Sequence, residues 1–94
     1  MRGQISITRV RFRPASRRDV NEGLLGWVKF EHGGLLVEGV TVRRTRDGKL
    51  ALSFPRHLDR EGRERYPVRP ISDRARRAIE RQIFAELNLE EAKS

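Results

Sequence analysis

Ninety-four residues suit one domain, and a chain this short buries only about 60–65% of its unfolded surface, so its core is modest. Charged residues make up 36% of the chain, the formal net charge is +8, and 18 of the 21 basic residues are Arg. The absence of Cys excludes disulfides and thiolate metal sites, and no segment approaches the ~20 apolar residues of a membrane span.

The opening residues, Met1-Arg2-Gly3-Gln4, lack the apolar stretch of a signal peptide, so the expected location is the cytoplasm. Residues 5–13 read as a first strand. Its apolar parity slips between Ile7 and Val10, which predicts either a start near Thr8 or a bulge. Arg9, Arg11 and Arg13 then share one face, opposite Val10 and Phe12. Pro14 stops the strand, and the polar connection over 14–23 has the length of a mobile loop.

A second strand spans 24–31. Leu24, Val28 and Phe30 share a parity with Gly26, whose missing side chain hints at a close neighbour. Trp27 falls on the other face with Leu25 and Lys29. Its expected role is packing, under a helix or across an interface. Base stacking is the lesser reading, because Phe and Tyr are sparse. His32-Gly33-Gly34 is a turn, and residues 35–55 form the clearest hairpin, two apolar runs around Asp47-Gly48. Those two residues tolerate the positive φ of a tight turn. Val40 and Val42 match Leu50, Leu52 and Phe54 across the pair, and Arg43, Arg44, Arg46 and Lys49 crowd the tip.

Residues 56–69 are rich in Arg and poor in apolar side chains, as in an exposed loop or flexible ribbon. Residues 66–71 are extended, because Pro67 and Pro70 bias their predecessors away from helix, and suit a sheet edge. Ser72 then caps a helix to Leu87 or Leu89, with Asp73 in its first turn. Ala75, Ile79, Gln82, Ile83 and Leu87 make its buried stripe, and Arg74, Arg77 and Arg81 line a flank. Arg76 sits nearer the stripe, and Glu80 is placed to pair with Arg76 or Arg77. A polar tail over 89–94 follows. The predicted fold is α+β: an antiparallel meander of about four strands, an irregular extended segment and one C-terminal helix, with an ordered core over about 5–88.

Enzymatic signatures are absent. Gly23-x-x-Gly26 and Gly33-Gly34 sit at strand ends rather than before a helix, so no phosphate loop forms. His32 and His57 are 25 residues apart without ligand spacing, which predicts no metal and no cofactor. No constellation of titratable groups marks a reaction. The positive charge instead points to a polyanion, since guanidinium forks onto phosphate. Arg-rich composition also follows from a GC-rich genome or from surface ion pairing at high temperature.

The order and spacing of several strings resemble the SpoVG family of septation and sporulation regulators. They are Thr8-Arg9-Val10-Arg11-Phe12-Arg13, the strand over 35–42 with Val37 and Val40, and Gly48-x-Leu50-x-Leu52-x-Phe54-Pro55. A loop containing Gly62 comes next, followed by Pro70-Ile71 and Arg76-x-x-Ile79. The likeness spans about residues 7–87. It implies a small homodimer that binds DNA, and in some members RNA, to regulate gene expression. Gly48, Phe54, Pro55, Pro70 and Ile71 match as architecture, and Arg76 as a basic helix position. Arg56, His57 and Leu58 replace the family's usual Ser-Lys-Arg type string.

The expected nucleic-acid surface therefore comprises Arg43, Arg44 and Arg46 at the hairpin tip, with Arg56, Arg60, Arg63 and Arg65 in the loop. Arg74, Arg76 and Arg77 extend it along the helix. The competing reading is a protein-interaction module that regulates through its sheet or the Trp27 face. Apolar residues on both parities of the second strand favour a homodimer.

Overall fold

The alternating segments build a four-stranded antiparallel sheet in the computed structural model, which describes residues 5–89. Strands β1 (Thr8–Pro14), β2 (Leu24–His32), β3 (Leu35–Arg44) and β4 (Leu50–Ser53) follow one another in space as in sequence. This is the expected meander. Of the polar tail expected over 89–94, Leu89 instead packs against the apolar cluster, while residues 90–94 and the opening residues 1–4 lie outside the described residues.

Both alternatives weighed for the first strand occur together. β1 starts at Thr8, and its register shifts between Thr8 and Arg11, where Arg9 takes a φ of 52°. The connection after Pro14 departs from the expected mobile loop: it holds a five-residue helix, α1 (Arg17–Asn21). Ser16 caps it, its hydroxyl accepting the Asp19 N–H at 3.2 Å, which satisfies an amide that the first turn leaves open. Gly23 then closes the connection at a φ of 102°, and its carbonyl accepts the Arg44 N–H at 2.8 Å.

Bulges decide which residues face the core. A register shift between Leu24 and Gly26 puts Leu25, rather than Leu24, against the apolar cluster. The expected grouping of Leu25 with Trp27 is thereby corrected, because one inserted residue reverses the parity before it. A second shift falls opposite Lys29, where Gly39 has a φ of 79°. It lets Val37 and Val40 both reach the core, although three positions apart in a strand would put them on opposite faces. Gly26 has no room for a side chain: a Cβ there would collide with the Arg13 carbonyl and the Phe12 ring.

The β3–β4 turn also differs in detail. Gly48 alone takes a positive φ, and Asp47 contributes through its carboxylate, which accepts the Thr45 hydroxyl. The Thr45 N–H reaches the Lys49 carbonyl at 2.8 Å and the Gly48 N–H reaches the Thr45 carbonyl at 2.9 Å. After Pro55 the chain forms a separate two-stranded ribbon, β5 (His57–Leu58) and β6 (Glu64–Arg65). Residues 66–71 do not join a sheet edge. Residues 68–71 line an apolar hollow of about 310 Å³ shared with Ile7, Phe30 and Val37.

Helix α2 (Asp73–Glu86) starts as its cap requires, with the Ser72 hydroxyl accepting the Ala75 N–H at 3.1 Å. Its buried residue Ile83 joins Val28, Phe30, Val40, Val42 and Leu52 in one cluster on one face of the sheet. Gln82 bonds the chain ahead of β1, accepting the Ile7 N–H at 3.1 Å and donating to the Ile5 carbonyl. Arg76 and Glu80, one turn apart, bond the outer edge of β4. The Arg76 guanidinium donates to the Leu52 carbonyl at 2.8 Å, and Glu80 accepts the Leu52 N–H at 3.1 Å. The expected pairing of Glu80 with an arginine thus gives way to a backbone N–H at a strand edge, which otherwise goes unbonded.

Candidate nucleic-acid interface

With α2 on one face, the residues of the other face lie largely at the surface, Arg11, Arg13, Lys29, Arg43 and Ser53 exposed and Trp27 and Thr41 half-buried. Register partners share a face, so the pairings trace what it displays. One row runs Arg13, Trp27, Thr41, Ser53 across all four strands. A flanking row holds Arg11 and Lys29, and the opposite flank holds Leu24, Arg43 and Ala51. The Arg13 guanidinium lies over the Trp27 indole, 4.3 Å from the ring centre, a cation–π contact between two planar groups. Arg11, Arg13, Trp27, Lys29, Glu38 and Gly39 line a shallow hollow of about 330 Å³ there. Arg9, Arg11, Arg13, Lys29 and Arg43 stand on this face against two acids, Glu31 and Glu38. One of those acids is shared with Arg9 at 3.6 Å.

The structure disperses the predicted tip cluster. Arg43 belongs to the sheet face away from α2, opposite Leu24 and Ala51. Arg44 is half-buried and donates to the Gly48 carbonyl at 3.2 Å. Arg46 is exposed in the turn. Lys49 meets the helix: with Arg77, Arg81, Glu80 and Phe84 it lines a hollow of about 670 Å³. The Thr45 hydroxyl bonded to Asp47 holds that carboxyl below the ordinary aspartate value, so it stays charged. Residues 43–49 carry four cations and this one acid, a net +3.

The ribbon is arranged otherwise. Asp59 accepts the N–H groups of Arg63 at 2.9 Å and Glu61 at 3.0 Å, while the Arg65 side chain donates to it at 3.0 Å. These bonds, the Arg63 N–H foremost, hold the Asp59 carboxyl below its ordinary value. Arg63 also faces Asp59 at 3.3 Å and Glu61 at 3.8 Å, and Arg56 pairs with Glu64. Three of the four ribbon arginines are engaged by carboxylates of the same molecule, and residues 56–65 sum to +1. Arg60 is exposed in the turn.

On the helix, Arg74 and Arg77 are exposed. Arg76 is committed to Leu52 and lies 5.9 Å from the Phe54 ring centre, which makes it a structural cation. On the sheet face away from α2, Arg11, Arg13, Trp27 and Lys29 stand outside the expected set. The signal for them was present in the shared parity of Arg11 with Arg13 and of Trp27 with Lys29. What the strings did not reveal was that the helix covers the opposite face.

Compared with protein families, curated proteins and solved structures, the chain matches none. Among the described residues, no group of three or more His, Cys, Asp or Glu is placed to hold a metal ion, and no helix is long and apolar enough to cross a membrane.

Proposed function

We propose that the chain is a small nucleic-acid-binding regulator of the kind its resemblance to the SpoVG family implies, acting as a homodimer. The observation that supports this most is the sheet face away from α2, where five cations meet two acids around an aromatic side chain. Lys49, Arg77 and Arg81 add a second basic surface beside the β3–β4 turn. Phosphate neutralisation supplies the affinity, so binding falls steeply with salt. Labelled duplex DNA and structured RNA, titrated at rising salt, test it. Binding at low salt that weakens as salt rises is the expected result. Failure to bind at low salt, or indifference to salt, removes the proposal.

The homodimer has its own support. Leu35 is 69% exposed and Ile71 95%, and exposed apolar side chains gathered together mark interaction surfaces. They lie at one end of the molecule, since His32, the register partner of Leu35, lines the same apolar hollow as Ile71. A second copy covering this end doubles the basic footprint and adds avidity. Sedimentation at micromolar concentration is expected to show a dimer. A monomer there removes this part of the proposal.

A further inference from the structure

We infer that the ligand of the sheet face away from α2 is an unpaired, single-stranded stretch of nucleic acid, with one base stacked on the Arg13–Trp27 pair. This rests on the nucleic-acid reading above and narrows it. A duplex hides the flat faces of its bases in its own stack and offers proteins only base edges and backbone. Its major groove, about 12 Å wide, admits a helix or a two-stranded ribbon. Four strands at about 4.8 Å spacing already span roughly 14 Å before any side chain is counted. The face therefore meets a duplex only from outside, and Trp27, in the middle of the sheet, has nothing to stack on.

An unpaired base removes that mismatch. Every base has a π-face, and aromatic and guanidinium planes both accept it. The Arg13 guanidinium lies over the indole, 4.3 Å from its centre, and the Arg13 side chain is exposed to solvent, so a base can reach the pair. The pair is thus a stack already begun, to which a base adds the next layer. Thr41 and Ser53 continue the same row with hydroxyls, which donate to or accept from base edges and sugars. Arg11 and Lys29 flank the row on one side and Arg43 on the other, so phosphates on either side of the stacked base meet a cation. Glu38, beside Lys29, weakens the charge at one corner and favours a backbone path along the Arg11 and Arg43 sides. The aromatic count is too low for a multi-base platform, so one base stacks and the rest of the contact is electrostatic, with little sequence preference.

Trp27 is the chain's single tryptophan, so its fluorescence reports on this site alone. The full-length protein is titrated at low salt with labelled oligothymidine of about twelve nucleotides, within the span of small single-strand platforms, and with a duplex of the same length. Oligothymidine binding is expected to quench Trp27. Trp27→Ala is expected to weaken oligothymidine binding roughly tenfold, with Trp27→Phe retaining most of it and duplex binding little changed. Oligothymidine that binds without altering Trp27 fluorescence overturns the inference and leaves the nucleic-acid reading standing. So does a Trp27→Ala protein that loses duplex and single strand equally. If neither ligand binds at low salt, the nucleic-acid reading itself falls and the inference with it. The quench is read on the natural chain, so it decides the matter even where Trp27→Ala fails to fold.

Discussion

Two arginine-rich turns sit on this molecule, one closing β3–β4 and one closing β5–β6. Each has an aspartate and a glycine, and Gly48 and Gly62 adopt nearly the same φ, 85° and 79°. They differ in what holds the aspartate. Asp47 is bonded by a neutral hydroxyl from Thr45, while Arg44 turns to the Gly48 carbonyl, Arg46 is exposed and Lys49 meets the helix. Asp59 is bonded by the ribbon's own N–H groups and arginines. A count of positive charge along the chain rates the two segments alike, yet only one of them keeps a net +3. Charge availability is set by cross-turn register, which brings an acid and a base together or keeps them apart.

The largest effect expected concerns the frame beneath the comparison. The β3–β4 turn belongs to the four-stranded sheet, and the ribbon does not. Ile83→Ala, at a fully buried position, is expected to cost about 2–5 kcal/mol in denaturant unfolding. The loss should speed hydrogen exchange at amides of β3 and β4, whereas ribbon amides, opening locally, stay unchanged. Equal loss at both would mean that the ribbon is part of the same cooperative unit.

Charge reversal comes next. Changing Arg43, Arg46 and Lys49 together to Glu is expected to weaken oligonucleotide binding by roughly tenfold to a hundredfold at ~0.1 M salt. The same change at Arg56, Arg63 and Arg65 should weaken it several-fold less, because those side chains are engaged within the ribbon. Equal losses would erase the distinction between the turns. Asp59→Asn sharpens it from the other direction. Exchange at the Glu61 and Arg63 amides should quicken as their acceptor weakens, and the released arginines should raise oligonucleotide affinity by a few-fold at most, as expected of exposed pairs.

The smallest effect is acid-induced. Asp59 and Asp47 both titrate below the ordinary value of 3.8, so the folded state binds those protons less readily than the unfolded chain does. The stability they contribute is present above that value and is lost as pH falls through their lowered pKa values. Carboxyl chemical shifts followed below pH 4 should place both midpoints beneath 3.8. A midpoint at or above it would mean that the bonds to that carboxylate do not persist in solution.

Much of the fold was legible. Alternation of Leu50, Leu52 and Phe54, the Gly33-Gly34 turn, and Ser72 ahead of an Ala75-Ile79-Ile83 stripe each state a local preference that the tertiary structure keeps. The bulges were less so. A period-2 pattern cannot show where a residue is inserted, so Leu25 and Val37 changed face without altering the local composition. Helix α1 was hidden because its five residues, with Val20 the lone apolar one, carry no apolar stripe, and its only mark was the Ser16–Asp19 spacing. The site was legible as chemistry and not as place. The cations were countable, but which carboxylate each one meets, and which sheet face the helix leaves open, depend on pairings distant in sequence.

Arg76 and Glu80 have a consequence for assembly. By occupying the outward Leu52 carbonyl and N–H, they deny an incoming chain the docking points from which a sheet grows sideways. The opposite border is interrupted where Arg9 leaves extended geometry. With one border capped at Leu52 and the other interrupted at Arg9, strand addition is disfavoured at both, so a homodimer of the kind proposed would join through its faces rather than by extending the sheet.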